Sequence, residues 1–148
     1  CESVSPLPRS LVSEARAEAR AAVVNRPFEI FASDVDSRAV ALTRENARRA
    51  GIARGLRVER RDVADLALPV TGVNVIVCNP PYGERMSERE QVHALCGVMG
   101  AAFERQPHRR AYIITSYDGF ERAYGKRADK NRKLYNGMIK TYLYQYFK

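Results

Sequence analysis

Four short strand-like runs, each separated from the next by a loop or a stretch of helical character, constrain this chain more than any other feature. They are Phe28-Glu29-Ile30-Phe31-Ala32, Leu56-Arg57-Val58-Glu59-Arg60, Val73-Asn74-Val75-Ile76-Val77-Cys78 and Ala111-Tyr112-Ile113-Ile114-Thr115-Ser116. Each has strand length; the second alternates apolar and charged residues, and the other three are rich in β-branched or aromatic residues. A helical pattern follows the first, capped by Asp36 or Ser37, running through Ala39, Val40, Leu42, Thr43, Asn46 and Ala47 and stopping at Gly51. Another runs from Glu88 to Phe103, with Val92, Leu95, Val98, Met99 and Ala102 on its inner face. An Ala/Arg/Glu-rich helix from Leu11 to Val24, with an Ala/Val face opposite a solvated one, precedes the first strand, and a short helix at Gly119 to Tyr124 follows the last. The third run is continuously apolar, as expected for the middle of a parallel sheet covered on both faces. The alternation predicts a doubly wound α/β sheet.

The end of the chain breaks the pattern. Lys126 to Lys133 reads as a basic loop, and Lys133 to Phe147 as two strands around Asn136-Gly137, an antiparallel hairpin signal. Tyr142, Tyr144 and Tyr146 share one face of the final strand and read as edge packing rather than a base-stacking platform. Residues 1–12 form an irregular lead-in and residues 13–148 a single domain. The chain opens on Cys1, and no strand with a glycine-rich turn precedes the Leu11 helix, so the domain is expected to be N-terminally incomplete.

A length of 148 residues suffices for one core without disulfides or metal. Cys1, Cys78 and Cys96 are odd in number and widely spaced, and His93 and His108 add no ligand spacing, so neither a disulfide framework nor a metal site is expected. No apolar run approaches the ~20 residues that span a bilayer, which favours a soluble, cytoplasmic protein without membrane attachment. The formal charge of +8 favours a polyanionic partner. Arg60, Arg61, Arg85, Arg109, Arg110, Lys126, Arg127, Lys130, Arg132 and Lys133 are the candidate phosphate contacts.

Three strand ends in succession carry Asp34, Asp62 and Asn79, and ligands of open α/β sheets sit at the carboxyl ends of strands. Asp34 can accept hydrogen bonds from both ribose hydroxyls of a nucleoside cofactor; its competing use as a helix cap is better filled by Asp36. Asp62 can accept from an adenine amino group while the Val63 amide donates to a ring nitrogen. Asn79-Pro80-Pro81-Tyr82 is a rigid turn whose two prolines carry no amide donor. Asn79 Oδ1 and the Pro80 carbonyl can therefore accept both hydrogens of an exocyclic base amine, with Tyr82 stacked on the ring. Such a turn suits guanine N2 and adenine N6 alike.

Ala32-Ser33-Asp34-Val35-Asp36, Glu45-Asn46-Ala47, Ala50-Gly51, Asn79-Pro80-Pro81-Tyr82-Gly83-Glu84-Arg85 and Arg132-Lys133-Leu134-Tyr135-Asn136-Gly137 resemble the THUMP-associated guanine-N2 RNA methyltransferases, a family often labelled N6-adenine DNA methylases. The resemblance runs from about Ser13 to the C-terminus. It implies a Rossmann-like class I methyltransferase sheet with a C-terminal antiparallel hairpin, here without its first strand and glycine-rich loop. It further implies S-adenosylmethionine as cofactor, held by Asp34, Val35, Asp62, Val63 and Asn79. Asn79, Pro80, Pro81 and Tyr82 become the catalytic turn, and Tyr82, Arg85, Arg132 and Lys133 the substrate contacts. The implied substrate is bacterial large-subunit ribosomal RNA, with an RNA-capturing THUMP domain further upstream. Methylation of adenine N6 in DNA or RNA, and a non-catalytic RNA-binding remnant, are the competing readings.

Overall fold

The structure, a computed structural model, describes residues 8–24, 26–70, 72–83 and 86–147. Its elements in chain order are α1 (Arg9–Ala21), β1 (Ile30–Asp34), α2 (Ser37–Arg49), β2 (Leu56–Arg60), β3 (Asn74–Cys78), α3 (Met86–Glu104), β4 (Arg109–Thr115), α4 (Phe120–Tyr124), β5 (Lys130–Asn136) and β6 (Ile139–Tyr146). β1 and β2 form a parallel pair, and a second sheet has the order β3-β4-β6-β5. β3 runs parallel to β4, whereas β6 is antiparallel to both β4 and β5. The alternation of β and α units thus gives parallel strands, and the terminal hairpin gives the reversed one.

The core lies between α3, α4 and one face of the second sheet. On α3, Val92, Cys96, Met99, Ala102 and Phe103 recur at helical spacing and meet Ala111 and Ile113 of β4 and Tyr144 and Tyr146 of β6. Phe120 packs on Tyr144 with ring centroids 4.7 Å apart, and Tyr124 stacks on Tyr146 at 4.6 Å. Gly100 lets α3 and α4 touch, since a Cβ there would lie 2.0 Å from the Tyr124 carbonyl oxygen. Beyond the core, Gln106 joins the loop after β2 to α3: its Nε2 donates to the Leu66 and Ala102 carbonyls and its Oε1 accepts from the Leu68 amide.

Several boundaries and burials differ from the sequence reading. β1 starts at Ile30, two residues late, because its ladder with β2 begins at the Ile30–Leu56 pair. β5 starts at Lys130, inside the expected basic loop, because pairing with Gln145 extends the strand. Tyr142 to Tyr146 lie on a strand between two others rather than on an edge, and Tyr144 and Tyr146 are buried. Val98 is exposed while Cys96 and Phe103 take its expected place. The expected apolar face of α1 buries no residue. β1 and β3 are open too: Ile30, Phe31, Val75 and Val77 are exposed. Each strand is hydrogen-bonded along one edge only, and among the described residues no strand lies between them and nothing covers the face carrying Val75 and Val77. Burial of a parallel strand needs neighbours on both edges and layers on both faces.

Candidate active site

The three singled-out polar residues stand at the carboxyl ends of β1, β2 and β3: Asp34 is the last residue of β1, and Asp62 and Asn79 lie in the loops after β2 and β3. The Asp34 carboxylate accepts from the Asp36 amide at 2.8 Å, while Asp36 caps α2 by accepting from the Arg38 amide at 2.8 Å. Asp62 repeats the arrangement, accepting from the Ala64 amide at 2.9 Å. Both aspartates are exposed, and each uses one oxygen to shape its own turn, the second making no hydrogen bond among the described residues. Val35 is exposed, its carbonyl accepting from Arg60 Nε at 3.0 Å, and Val63 packs against the edge of the core.

After β3 the backbone turns sharply. Asn79 and Pro81 are exposed, Pro80 is buried, Tyr82 is half-buried and Gly83 is buried with φ +67°. That φ belongs to glycine, and a Cβ at Gly83 would also press to 3.0 Å on Val92. The chain is thereby bent from the turn into α3. Residues 79–83, Glu88 from the first turn of α3 and Asn136 from the end of β5 line one open depression of about 590 Å³. Asn79, Pro80, Pro81 and Tyr82 thus all line the depression; Asp34, Val35, Asp62 and Val63 stand at or just beyond the tips of β1 and β2, in the other sheet, and do not line it.

Glu88 and Asn136 are the lining residues that sequence reasoning did not single out. Asn136 falls within the Arg132–Gly137 block, where the Asn-Gly pair predicts a turn residue. In the structure it pairs with Ile139, so the loop is Gly137-Met138, with glycine first at φ +60° as in a type II′ hairpin. Arg132 and Lys133 are exposed on β5 and do not line the depression. Arg85 lies outside the described residues.

Electrostatics prunes the candidate cations. Arg109 and Lys126 both pair with Glu104; burial raises that carboxyl's pKa, but the two cations outweigh it and hold it below the usual carboxylate range. Arg61 pairs with Glu59 at 2.8 Å. Arg110, Arg127, Lys130, Arg132 and Lys133 remain exposed. Burial pushes the Cys78 thiol, one residue before the turn, up to about 11. It stays protonated at neutral pH and is a poor nucleophile. Among the described residues no helix is long and apolar enough to cross a membrane.

A partly parallel sheet with a reversed terminal hairpin and an Asn-Pro-Pro-Tyr turn at a strand tip defines a methyltransferase domain of class I fold. Its backbone superposes on a possible methylase from Clostridium difficile 630 with a TM-score of 0.85 and 35% identity, covering 98% of this chain and 38% of that one. SMU.472, described as "a putative methyltransferase complexed with SAH", superposes at 0.82 with 34% identity, covering 97% and 38%. Residues 2–145 match the family described as UPF0020, RMKL-like, methyltransferase domain. The chain belongs to that family. It is 44% identical over 123 residues to "Putative RNA methyltransferase YpsC" of Bacillus subtilis (strain 168), covering 83% of this chain and 32% of the relative. It is 35% identical over 136 residues to the ribosomal RNA large subunit methyltransferase K/L of Legionella pneumophila (strain Lens), covering 91% and 19%. The chain therefore spans about a third or less of the length of these two relatives.

Proposed function

We propose that this chain is the catalytic domain of an S-adenosylmethionine-dependent methyltransferase acting on an exocyclic base amine in RNA, specifically guanine N2 of large-subunit ribosomal RNA in the bacterial cytoplasm. The observation that carries the reading is the Asn79-Pro80-Pro81-Tyr82 turn at the tip of β3, which lines an open depression together with Asn136. The relatives named for ribosomal RNA methylation support the substrate class. The remaining length of those relatives leaves room for an RNA-capturing domain of THUMP type.

The donor set fits the cofactor. Asp34 and Asp62 each keep one carboxylate oxygen for a hydroxyl or amino group, with Val35 and Val63 beside them, and SMU.472 is described as holding the demethylated cofactor. When bound, S-adenosylmethionine supplies an electrophilic methyl group. The protein's own part is placement. Asn79 Oδ1 and the Pro80 carbonyl accept the two amine hydrogens, which turns the nitrogen lone pair out of conjugation with the ring, and Tyr82 stacks on the base. No strong base is required, since the methylated nitrogen sheds its proton to water in an open depression.

Adenine N6 is the second reading, because a 37% identical structure from Listeria monocytogenes is described as a predicted N6-adenine-specific DNA methylase. The test is transfer from tritiated S-adenosylmethionine by the full-length protein to unmodified, in vitro transcribed large-subunit ribosomal RNA, followed by nuclease digestion and mass spectrometry. N2-methylguanosine is the expected product. N6-methyladenosine would establish the second reading, and no incorporation would refute both for this RNA.

A further inference from the structure

Met138 is 99% exposed at the apex of the β5–β6 hairpin. An unbranched apolar side chain there adds nothing to the core, and the turn itself enforces its exposure. Asn136 pairs with Ile139, so Gly137 and Met138 are the whole loop, and the +60° φ of Gly137 fixes the tight turn that projects Met138 outward. The same turn delivers Asn136 to the wall of the depression that holds Asn79. Just behind the apex, Tyr135 is 65% exposed, the Lys133 ammonium stands 5.3 Å over its ring, and Lys140 is its cross-strand partner.

One short stretch beside the catalytic turn thus carries a projecting apolar side chain, an exposed aromatic ring and two cations. Such a set has a physical use if the substrate base must leave a stacked strand. Extruding a base exposes the faces of its neighbours, and proteins that bend or open nucleic acids fill such gaps with apolar wedges while cations hold the backbone. Resting on the amine-methylation reading above, we propose that the hairpin tip is the second jaw of the target site. Met138 enters the space vacated by the target base as that base swings onto Tyr82, and Lys133 and Lys140 hold the flanking phosphates. Tyr135 is the stacking surface for the neighbouring base.

The probe is the same unmodified large-subunit ribosomal RNA. The methylated position, once mapped by mass spectrometry, defines a structured hairpin oligonucleotide and a single-stranded counterpart of the same sequence. In the full-length protein Met138→Ala should lower kcat/KM at least tenfold on the structured oligonucleotide, and clearly less, within about threefold, on the single strand, where little stacking has to be replaced. Met138→Leu should recover most of the loss. Equal losses on both RNAs, or no loss on the structured one, would overturn the wedge while the unaltered protein still methylates. No methylation by the unaltered protein on any RNA would instead refute the amine-methylation reading, and the wedge with it.

Discussion

Asn79→Ala removes the side chain on which the amine-methylation reading depends most. Its stability cost is small, because Asn79 is exposed and belongs to no core cluster; surface truncations of that kind stay within about 0.5 kcal/mol. The catalytic cost is larger. In the ground state the amine is neutral and one hydrogen bond to it contributes about 0.5–1.5 kcal/mol, whereas as the methyl arrives the nitrogen becomes cationic and the same bond rises to about 1.5–3 kcal/mol. At about 1.36 kcal/mol per tenfold, losing it lowers kcat/KM by roughly 10- to 150-fold; the transfer step of the bound complex carries the difference between the two states, about 1–1.5 kcal/mol or roughly 5- to 13-fold, and the rest appears as weaker RNA binding. Single-turnover transfer from tritiated S-adenosylmethionine by the full-length variant reads the catalytic loss, and thermal melting of the same sample reads the stability cost. A transfer rate within threefold of the unaltered protein would refute the role of Asn79 as amine acceptor. A large drop in Tm accompanying the lost activity would assign the effect to folding instead.

Tyr82→Ala should weaken RNA capture by about 1–3 kcal/mol if the ring stacks on the target base, seen as a raised KM, whereas Tyr82→Phe should be mild; equal losses would point to the hydroxyl. Gly100→Ala should be among the most damaging single-methyl changes, because the new Cβ meets a backbone carbonyl that cannot rotate away. A cost of about 3 kcal/mol, the top of the usual range for overpacking, corresponds to roughly 6–12 °C in Tm, and an unchanged melt would contradict the α3–α4 contact. Glu104→Gln should cost about 1–2 kcal/mol at neutral pH by loosening Arg109 and Lys126, the figure kept low because the carboxylate is a third exposed. Since the folded-state pKa of Glu104 is lowered, this stability is present above the ordinary glutamate value near ~4.3 and is lost as pH falls through the folded one. Denaturant titrations should therefore show the variant and the unaltered protein converging below about pH 4, and a gap independent of pH would rule out the ion pairs as its source.

The sequence by itself determined the strand–helix alternation, the reversed hairpin and the placing of Asp34, Asp62 and Asn79 at strand ends. Those features rest on interactions between residues close in sequence: period-2 and period-3.6 burial, the Asp36 cap and the paired prolines after β3. What needed the tertiary structure was everything set by residues distant in the chain. Asn136 reaches the depression only because β6 pairs with β5 in a register that makes Gly137-Met138 the loop, and the spacing of Asn-Gly alone does not fix that register. Lys126 is spent on Glu104, 22 residues away, rather than left for phosphate, because the end of α4 packs against α3. The apolar runs of β1 and β3 marked strands correctly but not their burial. Apolarity records the neighbours a strand is suited to, while exposure depends on which neighbours are there, and Ile30, Phe31, Val75 and Val77 face open edges and an uncovered sheet surface among the described residues.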